Sequence, residues 1–216
     1  MTDQKQPLCL DIGCGKNKKP GFTGVDKTNL PGVDNIVDFE HEKLPFPNDS
    51  VDAIFSSHCL EHIPDPHLLL SELLRVGRNG SACELWLPHL RSNEAFVFDH
   101  RMYYNELIIS RISATKTDFW FPGTEGAMRL NRIVYVLKPG IEEMIRELAI
   151  PPWFAIKHLF NIIIEWGLFF TLVKEPDFKG HAHFKSIAEK PEILLANSRQ
   201  GPFKILEAPA DWWEIK

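Results

Sequence analysis

The chain has 216 residues, enough for one domain with a full hydrophobic core. Hydrophobic residues make up 44% of it and charged residues 25%, a balance that excludes disordered and collagen-like classes. Its net charge of -5 at pH 7 excludes a nucleic-acid partner held by a broad basic surface, because phosphate neutralisation needs clustered Lys and Arg.

The opening "MTDQKQPLCL" carries neither a long apolar core nor a small-residue cleavage site, so a cytoplasmic location is expected. Cys9, Cys14, Cys59 and Cys83 form no CxxC pair, which reads as buried or incidental thiols rather than a zinc ribbon or a disulfide framework. Five short apolar runs stand out, the first four ending in or near Asp, Gly or Ser: "LCLDIG" (8–13), "FTGVD" (22–26), "NIVDFE" (35–40), "VDAIFSS" (51–57) and "ACELWLP" (82–88). Continuous rather than alternating apolar runs predict strands covered on both faces, as in a parallel sheet. Between the fourth and fifth, "DPHLLLSELLRV" sets Leu68, Leu69, Leu73 and Val76 at helical spacing, and "GRNG" stops the helix. Such an α/β half-domain binds ligands just past its strand ends.

Gly13-Cys14-Gly15 after a strand invites a dinucleotide reading, but that fingerprint needs a glycine at position 18, which is Lys, and an acid about twenty residues on. Asp26 comes too early. A phosphate-cradling P-loop fails as well, since Leu10 stands where its first Gly belongs and Asn17 where its metal-binding hydroxyl belongs. Cys14 to Pro20 is also too short for a helical crossover, which needs at least about ten residues. Extended, it reaches roughly 23 Å, enough to return along a short strand without a helix. Lys16, Lys18 and Lys19 then read as a solvated loop.

In "LDIGCG" (10–15), "GVD" (24–26), "LPFPNDSVDAIFSSHCLEHIPDP" (44–66) and "LLLSELLRV" (68–76), in that order, the chain resembles the class I S-adenosylmethionine-dependent methyltransferases with an abbreviated first crossover, of methyltransferase type 11 kind. The resemblance covers about residues 8–89. It implies an α/β, Rossmann-like, mostly parallel sheet with helices on both faces and an elaborated C-terminal region. Residues 1–216 would form one domain, with 1–90 as the cofactor half and 91–216 as the acceptor side.

The implied cofactor, S-adenosyl-L-methionine, has a methionyl end, a ribose diol and an adenine. Gly13 and Gly15 let the backbone approach the methionyl end, with Cys14 between them, and Asp11 is placed to accept from the ammonium. Asp26 is the expected acceptor for both ribose hydroxyls. Asp38, with Glu40 as its substitute, falls where the family places an acid for the adenine amine, and Phe39 lines the adenine slot. Ser57 and His58 are expected to face the methionyl moiety and the sulfonium.

"HCLEH" (58–62) also fits the H-x-x-E-H pattern of an inverted zinc peptidase. That reading needs His58 and His62 on one helix face, yet the fourth strand ends there and Ile63-Pro64 follows at once. No metal site is expected.

"LPHLRSNEAFVFDHRMYYNELIIS" (87–110) resembles the post-sheet segment of methyltransferases of glycan or cell-envelope biosynthesis, which implies His89, Asp99, His100, Arg101 and Tyr104 near an acceptor pocket. Methyl transfer needs mainly positioning and exclusion of water; a hydroxyl acceptor gains from a general base. His62, His89 and His100 are the candidates, with His100 and His89 favoured as catalytic. Residues 119–140 read as turn, strand and turn, forming an arm over the site. In 141–176 a short helix, a Pro-Pro break and a long apolar helix over 153–173 are expected. Lys157, His158, Asn161 and Glu165 interrupt that helix too often for a membrane span. It reads as a buried domain helix or homodimer face, with peripheral membrane contact as the alternative. "EILLA" and "FKILEA" are late strand candidates.

The function expected is methyl transfer to a small-molecule or glycan- or lipid-linked acceptor, at oxygen. A non-catalytic protein that keeps the sheet as a binding or regulatory partner is the alternative.

Overall fold

The computed structural model describes residues 6–114 and 126–174, together with the backbone of 192–195. Five runs of the first half become β1 (Cys9–Ile12), β2 (Thr23–Asp26), β3 (Asn35–Ile36), β4 (Val51–Ser57) and β5 (Gly77–Pro88), all in parallel register. β6 (Ala127–Leu137), β7 (Ile163–Val173) and β8 (Glu192–Leu195) extend them into an eight-stranded sheet of order β3-β2-β1-β4-β5-β7-β6-β8. Among the described strands only β7 runs antiparallel to its neighbours. Helices α1 (His67–Val76), α2 (Glu106–Ala114), α3 (Ile141–Glu147) and α4 (Pro152–His158) complete the α/β architecture expected from the sequence.

Leu10, Ile12, Val25 and Ile54 of the central strands are buried, as are Leu69, Leu70, Leu73 and Leu74 of α1. These are the continuous apolar runs that marked doubly covered strands and the apolar face of the helix. α1 stops at Gly77, as expected, but Gly77 also starts β5, so "GRNG" is strand rather than turn.

The first crossover holds no helix. Its loop is tied from inside: the Lys19 amide donates to Asp11 Oδ2 at 2.7 Å, and the Lys19 ammonium sits 3.8 Å from the centre of the Phe55 ring. The Lys18 ammonium reaches Asp34 Oδ2 at 2.7 Å, and the Gly24 amide donates to that same oxygen. Two of the three loop lysines are therefore structural ties.

The largest departure lies in 153–173. α4 ends at His158, and residues 163–173 are strand β7, sandwiched between β5 and β6. A strand buried on both faces shows no alternation, so its run "IIEWGLFFTLV" cannot be told by periodicity from a buried helix. Its isoleucines and aromatics were the better signal. Gly167 lies opposite Trp86, and a Cβ there would come within 2.8 Å of the indole ring, so glycine is what lets the ring lie across the strand. The dimer-face and membrane readings lose the helix they rested on. No helix among the described residues is long and apolar enough to cross a membrane.

The expected arm over 119–140 is corrected in its described part, because β6 is an interior strand paired with β7 and β8. "EILLA" supplies β8. "FKILEA" lies outside the described residues.

α1 is locked to the segment before β4 by one ion pair. Glu72 Oε2 accepts from Arg75 Nη2 at 2.6 Å and from the Leu44 amide at 2.9 Å. Arg75 in turn donates to the Leu44 and Phe46 carbonyls, each at 2.9 Å. Arg75→Met leaves the buried Glu72 carboxylate with the Leu44 amide but without its cationic partner and is expected to lower stability by about 2–3 kcal/mol, read by urea unfolding. A change within experimental error would refute the lock.

Candidate functional site

β1 neighbours both β2 and β4, but the chain leaves β1 for β2 and β3 on one side before returning to β4 on the other. At such a switch point the connections diverge and leave a crevice at the carboxyl ends of the strands. A cleft of about 700 Å³ opens there, lined by Gly13 after β1, Asp26 at the end of β2, Asp38 and Phe39 after β3, and His58 and Cys59 after β4. That volume suits a ligand of nucleoside size.

Gly13 has φ +69, and a Cβ on it would lie 2.3 Å from Cys59 Sγ. No other residue fits, so the β1 turn rests directly on the β4 turn. Asp26 is fixed by two backbone donors: Oδ2 accepts from the Gly15 amide and Oδ1 from the Thr28 amide, each at 2.9 Å. Each oxygen keeps a lone pair for a ligand. Asp38 Oδ1 accepts from the Glu40 amide at 3.0 Å, and its other oxygen meets His41 Nδ1 at 2.9 Å, which holds its carboxyl below the usual range.

His58 is held in the left-handed region at φ +51 by two carboxylates. Its Nδ1 lies 3.1 Å from Glu61 Oε1 and its Nε2 lies 2.7 Å from Glu165 Oε2 of β7. Carboxylates only accept, so both ring nitrogens carry protons. The bonds to Glu165 and then to Glu61 push His58 up to about 10.

Residues 10–85 match the family model of a methyltransferase domain. An uncharacterized methyltransferase of Mycobacterium sp. (strain KMS) is 44% identical over 55 residues, which are 24% of this chain and 22% of the relative; the protein of strain MCS gives the same figures. The match thus spans about a fifth of the length of these curated relatives. Among solved structures, a SAM-dependent methyltransferase from Archaeoglobus fulgidus superposes with TM-score 0.54 at 18% identity, covering 76% of this chain and 86% of that one. The geranyl diphosphate C-methyltransferase of Streptomyces coelicolor superposes at 0.51 and 12% identity, covering 77% and 74%. The chain has the class I methyltransferase fold.

Several expected site residues stand elsewhere in that fold. Asp11 is buried beneath the first loop, where it accepts from Lys19, and it is not among the residues lining the cleft; burial pushes its carboxyl up. Cys14 is buried behind the turn, its thiol pushed up to about 11 by burial. Ser57 ends β4, in register with Trp86.

His89 is fully buried, edge-on to Trp166 at 4.8 Å. Its Nδ1 accepts from the Arg91 amide at 3.2 Å, and its Nε2 meets Glu106 Oε1 at 3.3 Å. Burial pushes the Glu106 carboxyl up, but the bonds from His89 and Tyr135 overcome it and leave it at about 2. His100 packs edge-on against His62 with ring centres 4.8 Å apart, and His62, Asp99 and Arg101 do line the cleft.

The H-x-x-E-H ligand set does not form. His58 precedes the 3-10 turn Leu60–His62 and spends both nitrogens on Glu61 and Glu165. Sequence reasoning missed Glu61 and Glu165 as its partners; the signal was an acid, Glu165, inside an apolar run.

A histidine whose folded value is raised adds stability that is complete below about pH 6.5 and lost as pH rises through about 10. Urea unfolding is therefore expected to show stability falling across that window, and His58→Gln is expected to flatten the fall. An unchanged slope in the variant refutes the bridge.

Proposed function

We propose that the chain binds S-adenosyl-L-methionine in this cleft and transfers its methyl group to a small-molecule or glycan- or lipid-linked acceptor, at oxygen. The observation that carries the reading is Asp26, a carboxylate fixed by two amides at the end of β2 with lone pairs free on both oxygens. A ribose diol offers two hydroxyl donors to such a group. Asp38, or Glu40 beside it, would accept from the adenine amine, and Phe39 would lie against the base. Gly13 would admit the methionyl end, and Asp11 would support it through the loop it holds.

The charge of the cleft supports this cofactor over a dinucleotide. Asp26, Asp38, Glu40 and Asp99 stand there against Lys27 and Arg101, an acidic balance that suits a sulfonium and repels a pyrophosphate. The Glu61–His58–Glu165 bridge adds one net negative charge on the His58 side.

Methyl transfer from a sulfonium is an in-line displacement, so the residues mainly hold the two reactants in line and keep water out. Residues 91–216 would supply the acceptor side. Of the candidate bases, His62 lines the cleft, His100 backs it, and His89 is enclosed by the core.

Calorimetry with S-adenosylmethionine and S-adenosylhomocysteine tests the reading. Stoichiometric binding is expected, with Asp26→Ala weakening it about 10- to 100-fold through loss of charge-assisted bonds. No binding to the wild-type chain overturns the proposal. Binding without transfer to any member of an acceptor panel favours the non-catalytic partner instead.

A further inference from the structure

The 3-10 turn after β4 and the segment after β5 are pinned together: the Arg101 and Met102 amides both donate to the Glu61 carbonyl, at 2.6 and 3.0 Å. This brings ligand-type atoms of Glu61, His62 and His100 within 4.8 Å of one another. Their hydrogen bonds settle what each atom can do. His100 Nδ1 lies 3.1 Å from the Ala95 carbonyl oxygen, which can only accept, so Nδ1 carries the proton and Nε2 keeps a lone pair. His62 Nδ1 faces Asp99 in the same way, its carbonyl at 3.4 Å and Oδ2 at 3.3 Å, which again leaves Nε2 with a lone pair.

Glu61 Oε1 is taken by His58. Glu61 Oε2 is buried and meets no donor among the described residues, in a side chain only 1% exposed. An unpaired buried carboxylate oxygen is costly, and the Nε2 lone pairs of His62 and His100 are further acceptors rather than donors for it. A proton on one imidazole would serve one of these atoms; a dication serves all three.

We infer that Glu61, His62 and His100 form a binding site for a first-row transition dication of the zinc type. Two imidazole nitrogens and one carboxylate suit zinc and its neighbours, whereas magnesium and calcium prefer oxygen ligands. Zinc-ligand distances of about 2.0–2.2 Å set ligand atoms about 3.3 Å apart in a tetrahedron, so the three groups draw inward on binding. His62, with its side chain 33% exposed, has room to rotate.

The outer partners already stand in place: the Ala95 carbonyl orients His100, Asp99 orients His62 and His58 orients Glu61, the arrangement that steers metal-bound histidines and carboxylates. Of the three ligands, His62 lines the cleft, as does its partner Asp99. This differs from an H-x-x-E-H site, because Glu61 is a ligand and His58 its positioning partner. The site stands without the methyl-transfer reading; resting on that reading, it would set a Lewis acid beside the acceptor end of the cleft.

The test is titration of the chelator-treated full chain with zinc by calorimetry, and with cobalt(II) by visible absorption. One equivalent is expected, with the weak bands of nitrogen and oxygen ligation and no intense thiolate band. His62→Ala and His100→Ala are each expected to weaken binding more than about 100-fold, beyond the effect of losing an outer partner, while His158→Ala leaves it unchanged. Thermal melting confirms folding, and the Gln variants at 62 and 100 repeat the test at closer volume. No zinc binding by the wild-type chain, or binding that survives both Ala variants, overturns the assignment. Neither outcome bears on S-adenosylmethionine binding, which is measured separately.

Discussion

The imidazolium of His58, held between Glu61 at 3.1 Å and Glu165 at 2.7 Å, ties the exit of β4 to an antiparallel strand that is 107 residues away in sequence. A residue with a Cβ does not settle at φ +51 without compensation, and two bonds to nearly buried carboxylates provide it. That turn then sets Cys59 against Gly13, aims the 3-10 turn so that His62 reaches the cleft, and buries Glu61 with one oxygen still free. Three features of the site thus lie on one turn that this bridge braces.

The sheet order supplies the rest. Because β1 lies between β2 and β4, the acids after β2 and β3 and the turn after β4 converge on one crevice. The first crossover can be short because its loop is cross-braced by Asp11, Asp34 and the aromatic face of Phe55 rather than by a packed helix. Loop and strand ends form a frame in which the Gly15 and Thr28 amides hold Asp26.

Sequence alone revealed the first half well, for a physical reason. Its strands are short, separated by glycine, proline and aspartate, and bounded by one strongly periodic helix. Gly13 and Asp26 stand at the ends of β1 and β2 as those runs suggested, while Asp38 lies two residues beyond β3. What the sequence hid were interactions between distant segments: an acid inside an apolar run flags Glu165 but does not name His58 as its partner, and nothing near His89 marks it as enclosed by Trp166 and Tyr135. β7 was misread because a doubly buried strand and a buried helix are equally apolar. The lysine-rich loop was misread because cation–aromatic and ion-pair ties depend on residues 16 to 65 positions away.

The contact between Gly13 and Cys59 makes those two positions one shared volume rather than two separate choices. The thiol side chain already fills the space that a methyl group at 13 would need. A Cβ at 13 is strained at φ +69 whatever stands at 59, so glycine is expected at 13 throughout related chains and the freedom to vary lies at 59. The identity of residue 59, which no motif singles out, thereby limits how deep a ligand can sit against the first strand.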